Sequence, residues 1–157
     1  MFNKRKYLYA VCRGSSDPLS SVPDEVFSSG MLGAGYAITP ADGKIYAPAD
    51  GTIGNIAEAK HAYTLTTNDG VDILIHVGVD TVNLGGKGFD VRVEKGKKVK
   101  AGDEIAIADL DTIKKAGLPS TVIVIITSTE MVHDIEYDLI DNCTKDDALI
   151  SYKVKKG

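Results

Sequence analysis

A chain of 157 residues, of which 43% are hydrophobic and 25% charged, is typical of one soluble globular domain, and we expect residues 1–157 to form a single domain. The formal net charge of −4 at pH 7, with no basic run longer than residues 153–156, argues against a nucleic-acid surface. Cys12 and Cys143 belong to no C-x-x-C pair, which favours a reduced compartment and predicts a cytoplasmic protein. No stretch is long and apolar enough to span a bilayer.

The chain begins with MFNKRKYLYAVCRG, in which basic residues precede a short apolar patch. That patch is too short to be the core of a signal peptide. Two interpretations remain for residues 1–8, a flexible N-terminus or part of a first strand, and we favour the strand.

Short runs rich in Val, Ile, Thr and Tyr follow, separated at close intervals by Gly, Asn, Asp and Pro, as in YAITPADGKIYAPADGTIGNI (36–56). This spacing predicts an all-β protein, either a sandwich or a barrel. YAVCRG at 9–14 resembles YAPADG at 46–51, and VEKGKKVKAGDEIAIAD at 93–109 has the pattern of another strand–turn–strand unit. These similarities indicate a duplicated β motif.

Helical signal is confined to DLDTIKKAG at 109–117. Leu110, Ile113 and Lys114 are spaced by about one helical turn, and Gly117 with Pro119 supplies a stop. We therefore predict one short helix in this segment.

A strictly alternating stretch, V-D-I-L-I-H-V-G-V-D, runs from Val71 to Asp80. Successive side chains of a strand point to opposite faces. Val71 and the Ile and Val residues at every second position after it are therefore predicted to face the core. His76 is predicted to lie on the other face, whose remaining members are Asp72, Leu74, Gly78 and Asp80. The histidine therefore lies outside the core face of a strand that looks buried.

A second histidine is brought to the first by the hairpin turn signal NDG at 68–70, between HAYTLTT and VDILIHV. With either two-residue loop that this signal allows, His61 lies opposite His76 or diagonal to it on the same face, at roughly 5 to 8 Å between Cβ atoms. A three-residue loop would instead place His61 on the opposite face. The favoured two-residue loops thus predict that the two histidines converge.

Two histidines on facing strands with acidic neighbours suit a half-built metal site, a phosphoryl-accepting site or an acid/base pair. A catalytic zinc takes three protein ligands, and only two histidines converge, although Asp72 or Asp80 could add an oxygen ligand. Motifs such as H-x-H, H-E-x-x-H, G-x-S-x-G and the P-loop are absent, so hydrolase and nucleotide-binding functions lack support. His133 is interpreted as an ordinary packed or solvated side chain.

The segment HVGVDTVNLGGKGF (76–89) resembles the signature around the phosphorylated histidine of glucose-type IIA proteins and domains of the bacterial phosphoenolpyruvate-dependent sugar phosphotransferase system. Further segments that are similar to this family are VPDEVF (22–27), MLGAGYAITP (31–40), YAPADGTIGNI (46–56), KHAYTL (60–65) and KKVKAGDEIAIADL (97–110). The similarity covers most of the chain, from about Tyr9 to Val154, in the order and spacing of the family.

This resemblance implies a flattened antiparallel β-sandwich of the duplicated hybrid motif type, with one or a few short helices. It also implies a reaction, in which the phosphocarrier protein HPr phosphorylates a IIA histidine that then passes the phosphoryl group to a cysteine on the IIB domain of a sugar permease. His76 matches the acceptor, and His61 matches the second histidine, which contacts the phosphoryl group and assists transfer. We expect backbone at Gly78 to contact the far ring nitrogen of His76 and to leave Nε2 free to attack.

The resemblance further implies a hydrophobic docking surface that includes Val26, Phe27, Leu74 and Val82. Two acidic positions of the family fall at Asp24 and Asp80, which we assign to tuning the site or docking basic residues of HPr, with ordinary solvated carboxylates as the alternative. In one departure, Ala59 stands where the family often has a threonine, so orientation of His61 by a hydroxyl group is lost or supplied elsewhere.

Two other functions are weighed against phosphoryl transfer. A zinc peptidase of the lysostaphin type shares the broad sandwich architecture, but it needs an H-x-H pair, and residue 78 here is glycine. A regulatory binding module would use His61 and His76 to clamp zinc together with a carboxylate from a partner protein. Some family members regulate other proteins through this face, so this function can coexist with phosphoryl transfer. Phosphoryl transfer itself is expected to need no cofactor, and contact with a membrane is expected only through the permease.

Overall fold

The computed structural model describes residues 4–155, which form antiparallel strands joined by short loops and helices. The strands within these residues are β1 Arg5–Tyr9, β2 Gly14–Pro18, β3 Ala34–Pro40, β4 Lys44–Tyr46, β5 Gly51–Ile56, β6 Ala62–Thr67, β7 Asp72–Val77, β8 Phe89–Val91, β9 Lys98–Val99, β10 Glu104–Ala108, β11 Val122–Ile126, β12 Val132–Tyr137 and β13 Ala148–Val154. The helices are α1 Glu25–Ser28 and α2 Leu110–Lys115, with 3₁₀ helices at Leu19–Ser21, Thr81–Leu84 and Thr129–Met131.

The described strands form three sheets, all of whose pairings are antiparallel. A seven-stranded sheet has the order β2-β3-β11-β7-β6-β5-β9, and two three-stranded sheets have the orders β1-β13-β12 and β4-β10-β8. The predicted all-β antiparallel architecture with short helices is therefore confirmed. No helix within residues 4–155 has the length and apolar character needed to cross a membrane.

The N-terminal segment pairs with the C-terminal strand, because β1 runs antiparallel to β13 from Arg5↔Lys153 to Tyr9↔Ala148. Residues 5–8 thus belong to a strand, which is the interpretation that the sequence favoured. Residues 1–3 of that segment lie outside the described residues.

The predicted helix near residues 109–117 is present as α2. The Asp109 side chain caps it by accepting hydrogen bonds from the amides of Asp111 and Thr112, and Gly117, with a φ of 75°, follows its end. Helix α1 was not predicted from the sequence, since four residues are too short to show helical periodicity.

The segment that contains α1 covers one face of the seven-stranded sheet. Leu19 and Val22 are buried there against Ala37 of β3 and Ile123 and Ile125 of β11. Phe27 and Leu74, both partly buried, pack against the same cluster. The opposite face of the sheet packs on the main core, so β7 and β11 are covered on both sides at this point.

Strand β7 shows the predicted alternation as far as Val77. Its Ile and Val side chains are fully buried, whereas Leu74 and His76 are half-buried and Asp72 is exposed. The prediction that the alternation extends to Asp80 is wrong, because Gly78 adopts a φ of 82° and ends the strand. Asp80 follows in the left-handed region, with a φ of 60°.

Candidate functional site

The hairpin of β6 and β7 has a register that differs from both predicted registers. Ala62 pairs with His76 and Thr66 with Asp72, and a three-residue loop at 68–70 joins the strands. Gly70, with a φ of 83°, supplies the left-handed residue that three-residue hairpin loops favour. The prediction of a two-residue loop is therefore wrong.

The rings of His61 and His76 are nevertheless in contact, edge to face, with centroids 4.9 Å apart and an interplanar angle of 86°. His61 precedes the first residue of β6, and Lys60 before it has a φ of 64°, so the regular strand stops here. One further hydrogen bond, from the Val77 amide to the His61 carbonyl at 2.7 Å, holds the backbones together. The predicted convergence is thus correct, although the register from which it was predicted is not.

The His76 ring is held by the backbone two residues further on. Its Nδ1 lies 2.8 Å from the carbonyl oxygen of Gly78. Because a carbonyl can only accept, Nδ1 carries the proton and donates it, and in the neutral ring Nε2 keeps its lone pair. The Phe27 ring also packs against the imidazole, with centroids 4.9 Å apart and an interplanar angle of 55°. The expected backbone contact at Gly78 is therefore present, and it selects one tautomer of His76.

Burial is the main influence on the charge of both histidines. It lowers the pKa of His76, and the neighbouring His61 lowers that pKa further. The hydrogen bond to Gly78 and the carboxylates of Asp24 and Asp80 act in the opposite direction but are smaller. Burial also lowers the pKa of His61. Both rings are therefore neutral near pH 7, which is the state in which imidazole is a nucleophile.

His61 is also buried, with 8% of its surface exposed. Its Nδ1 is buried, and no group in the described part of the chain forms a hydrogen bond with it. This agrees with the presence of Ala59 where a hydroxyl-bearing residue was expected from the family. The ring of His61 is thus oriented by packing rather than by a side-chain hydrogen bond.

The predicted docking residues lie on α1, on β7 and in the second 3₁₀ helix. Val26 in α1 and Val82 in the second 3₁₀ helix are 49% and 54% exposed, whereas Phe27 and Leu74 are partly buried. The sequence interpretation missed Met31 and Leu32, which are 74% and 37% exposed in the loop after α1. Their position next to glycines in MLGAG is the signal that could have identified an exposed apolar loop.

Asp24 and Asp80 affect both the local backbone conformation and the electrostatic field at His76. The Asp24 side chain caps α1 by accepting a hydrogen bond from the Val26 amide at 2.9 Å. Asp80 occupies the left-handed region, which Asp tolerates better than most residues. Both carboxylates raise the pKa of His76, so both lie within electrostatic range of the imidazole.

Among residues 4–155, no group of three His, Cys, Asp or Glu side chains is arranged to hold a metal ion. His61 and His76 therefore offer two nitrogen ligands at most. His133 lies on β12, in a different sheet from the histidine pair, and is exposed.

Residues 6–132 match the model of one protein family, described as "phosphoenolpyruvate-dependent sugar phosphotransferase system, EIIA 1". The chain belongs to this family. It is a component of a phosphotransferase system, as the resemblance of its motifs had indicated.

Individual EIIA relatives agree with the family assignment. A "PTS system glucose-specific EIIA component" of Buchnera aphidicola is 42% identical over 130 residues, which are 82% of this chain and 81% of that protein. A "PTS system glucose-specific EIICBA component" of Streptococcus pneumoniae is 40% identical over 131 residues, which are 83% of this chain but only 18% of that protein. The chain thus spans most of that EIIA component and about a fifth of that EIICBA component.

A solved structure extends the similarity to the fold. The glucose permease IIA from Mycoplasma capricolum superposes with a TM-score of 0.86 at 34% identity, and the match covers 96% of this chain and 97% of that one. The predicted β-sandwich is therefore confirmed.

Proposed function

We propose that this EIIA chain is a phosphoryl carrier, in which His76 accepts a phosphoryl group from phospho-HPr and passes it to a cysteine of a IIB domain. The transfer would drive the coupled uptake and phosphorylation of a sugar. One observation carries the proposal, the hydrogen bond from His76 Nδ1 to the Gly78 carbonyl, because it leaves Nε2 as the nucleophilic atom. Family membership favours this function over the zinc-peptidase alternative.

The chemistry of acceptance follows from this tautomer. The Nε2 lone pair forms a bond to phosphorus while the bond between phosphorus and the donor histidine of HPr breaks. The phosphorylated ring of His76 is positively charged, since Nδ1 keeps its proton, and the Gly78 carbonyl is placed to stabilise that charge. The protonated ring is also a good leaving group, so the phosphoryl group can move on to a thiolate.

We assign to His61 the role of stabilising the phosphoryl group during transfer. Its ring contacts that of His76, and burial keeps it neutral, so one of its nitrogens can donate a hydrogen bond to a phosphoryl oxygen without fixed positive charge. A neutral donor holds the phosphoryl group less tightly than a cation would, which suits a carrier that must release it.

The partners of this chain would dock on the exposed apolar surface around His76. Val26 and Val82 are about half exposed, Phe27 contacts the His76 ring, and Leu74 is partly buried on the strand that carries His76. Accessible apolar side chains of this kind are typical of the centre of protein interfaces. Asp24 and Asp80 lie within electrostatic range of the site and would attract basic residues of HPr. Relatives that combine EIIA with B and C components support a IIB domain as the second partner.

We further propose that transfer requires no cofactor and takes place in the cytoplasm, where the free thiols of Cys12 and Cys143 stay reduced. Zinc would bind the histidine pair only when a partner, such as a regulatory target protein, adds a carboxylate, because two imidazoles leave its coordination incomplete. Zinc that stays bound at one equivalent to the purified chain after dialysis would contradict this.

The decisive experiment is incubation of the chain with phosphoenolpyruvate, Enzyme I and HPr, followed by intact mass measurement and peptide mapping. We expect one acid-labile phosphoryl group, located on His76 and missing from His76→Gln. His133→Gln is the matched control, since it removes an exposed histidine from another sheet and should label normally. Absence of labelling in the unmodified chain would overturn the proposal.

A further inference from the structure

The hydroxyl of Thr81 makes one specific contact at the end of β7. Thr81 is fully buried, and its Oγ1 donates a hydrogen bond to the carbonyl oxygen of Val77. A buried hydroxyl and a buried carbonyl that satisfy each other in this way are costly to separate. The contact therefore holds the peptide between Val77 and Gly78 in one orientation.

The peptides on either side of it contact the two histidines. The Val77 amide donates to the His61 carbonyl at 2.7 Å, and the Gly78 carbonyl, one peptide further on, accepts from His76 Nδ1 at 2.8 Å. The Gly78 amide donates to the carbonyl of Thr121, the residue before β11, at 2.8 Å. The Val77–Gly78 peptide is thus held at its amide by Thr121 and at its carbonyl by Thr81.

The backbone returns Thr81 to this position through two left-handed residues, Gly78 and Asp80. The side chain then touches the turn with both of its branches. Its hydroxyl bonds to Val77, and its Cγ2 methyl lies where a Cβ on Gly78 would come within 2.3 Å of it. The methyl therefore packs directly against the glycine whose carbonyl holds His76.

We propose that Thr81 is a positioning residue, whose hydroxyl fixes the turn at Gly78 and thereby keeps His76 in the tautomer with the proton on Nδ1. Without that hydroxyl, the Val77–Gly78 peptide keeps its hydrogen bond to Thr121 but loses the one at its carbonyl, so it can tilt and the Gly78 carbonyl can move away from the ring. The proton of His76 then distributes between Nδ1 and Nε2, and the fraction of rings with a free Nε2 lone pair falls.

Two comparisons, each between two proteins, isolate the effect of the Thr81 hydroxyl. Thr81→Val compared with the unmodified chain removes the hydroxyl and keeps the branched shape, and Thr81→Ala compared with Thr81→Ser removes it from an unbranched side chain. Nitrogen NMR of the imidazole in isotope-labelled protein reports the tautomer of His76 directly, and far-UV circular dichroism reports folding. Should Thr81→Val fail to fold, the Ala and Ser pair still gives the comparison.

We expect Thr81→Val and Thr81→Ala to show a mixture of His76 tautomers and to accept phosphate from phospho-HPr about 10-fold more slowly than their hydroxyl-bearing counterparts. Thr81→Ser should keep the tautomer of the unmodified chain. A pure Nδ1–H tautomer in the folded variants that lack the hydroxyl would overturn the inference, as would an equal mixture in Thr81→Ser and Thr81→Ala.

The kinetic part rests on the proposed function, but the NMR part does not. If the unmodified chain takes no phosphate, the proposed function fails while the tautomer spectra still decide the role of Thr81. If phosphate transfer proceeds normally and the tautomer is unchanged in every variant, only the inference about Thr81 fails.

Discussion

The imidazoles of His61 and His76 touch edge to face at 4.9 Å, although neither residue is the cross-strand partner of the other. His76 pairs with Ala62, and His61 lies just beyond the end of β6, where only its carbonyl is still bound to β7. The contact therefore depends on the place where the hairpin ends. A phosphoryl group on Nε2 of His76 would therefore form beside the His61 imidazole, whose orientation is fixed by packing.

This relationship predicts different effects of His61→Gln on the two half-reactions. Acceptance from phospho-HPr should continue, because the nucleophile and its tautomer depend on His76 and Gly78. Onward transfer to IIB should fall by roughly 100-fold, because a donor to the phosphoryl oxygens is lost. Quenched-flow measurement of each half-reaction tests this, and normal onward transfer would remove His61 from the mechanism.

The titration of His76 should respond in opposite directions to two neighbouring substitutions. His61 lowers its pKa and Asp80 raises it, so His61→Gln should raise the pKa of His76 and Asp80→Asn should lower it. Asn is chosen because it also tolerates the left-handed backbone of residue 80. NMR titration of the imidazole signals gives both shifts, and shifts of the same sign would contradict the assignment.

The same lowered pKa predicts how acceptance depends on pH. Only neutral His76 is nucleophilic, and its pKa lies below the ordinary value of 6.5. The rate should therefore stay constant as the pH falls through 6.5 and should decline only as it passes the lower value. A decline in the rate that is already centred at pH 6.5 would show that burial does not lower the pKa of His76.

Gly78→Ala should destabilise the fold more than substitution of an equally left-handed glycine elsewhere. A Cβ at residue 78 would come within 2.3 Å of Thr81 Cγ2 and 3.0 Å of the Pro119 carbonyl, whereas a Cβ at Gly117 meets nothing within 4 Å. Gly117→Ala should cost about 1 kcal/mol from its backbone conformation alone. Gly78→Ala should cost more than about 3 kcal/mol, since a clash is added. Urea denaturation measures both, and equal losses would show that the turn relaxes freely.

Val82→Asp should impair docking without affecting stability. The side chain is 54% exposed, so its replacement should change the free energy of unfolding by less than about 0.5 kcal/mol. An acidic group on the apolar surface should raise the KM for phospho-HPr by about 10-fold. The control is Tyr137→Asp, whose residue is 52% exposed on β12, in another sheet. An equal effect of both variants would place docking elsewhere.

The sequence predicted much of this site from local patterns. Alternation along Val71 to Val77 depends only on the pleat of a strand, and the structure shows the same pattern of buried and half-exposed side chains. The register was wrong because the NDG signal is compatible with several loop lengths, and the conformation of Gly70 selects among them. Helix α1 was missed because its four residues are stabilised by the Asp24 cap and by packing, neither of which produces a periodic pattern.

By itself, the sequence determined the all-β class, the buried strand that carries His76 and the similarity to the EIIA family, since each depends on residue types at fixed local spacing. Only the tertiary structure decided which atoms meet at the site. The contact of His61 with His76, the return of Thr81 to Val77 and the lowered pKa values all depend on where strands end and what covers them. Burial of His76 involves residues distant in the sequence, such as Phe27, and the hydrogen bond of Thr81 depends on backbone conformations at Gly78 and Asp80 that residue spacing does not specify.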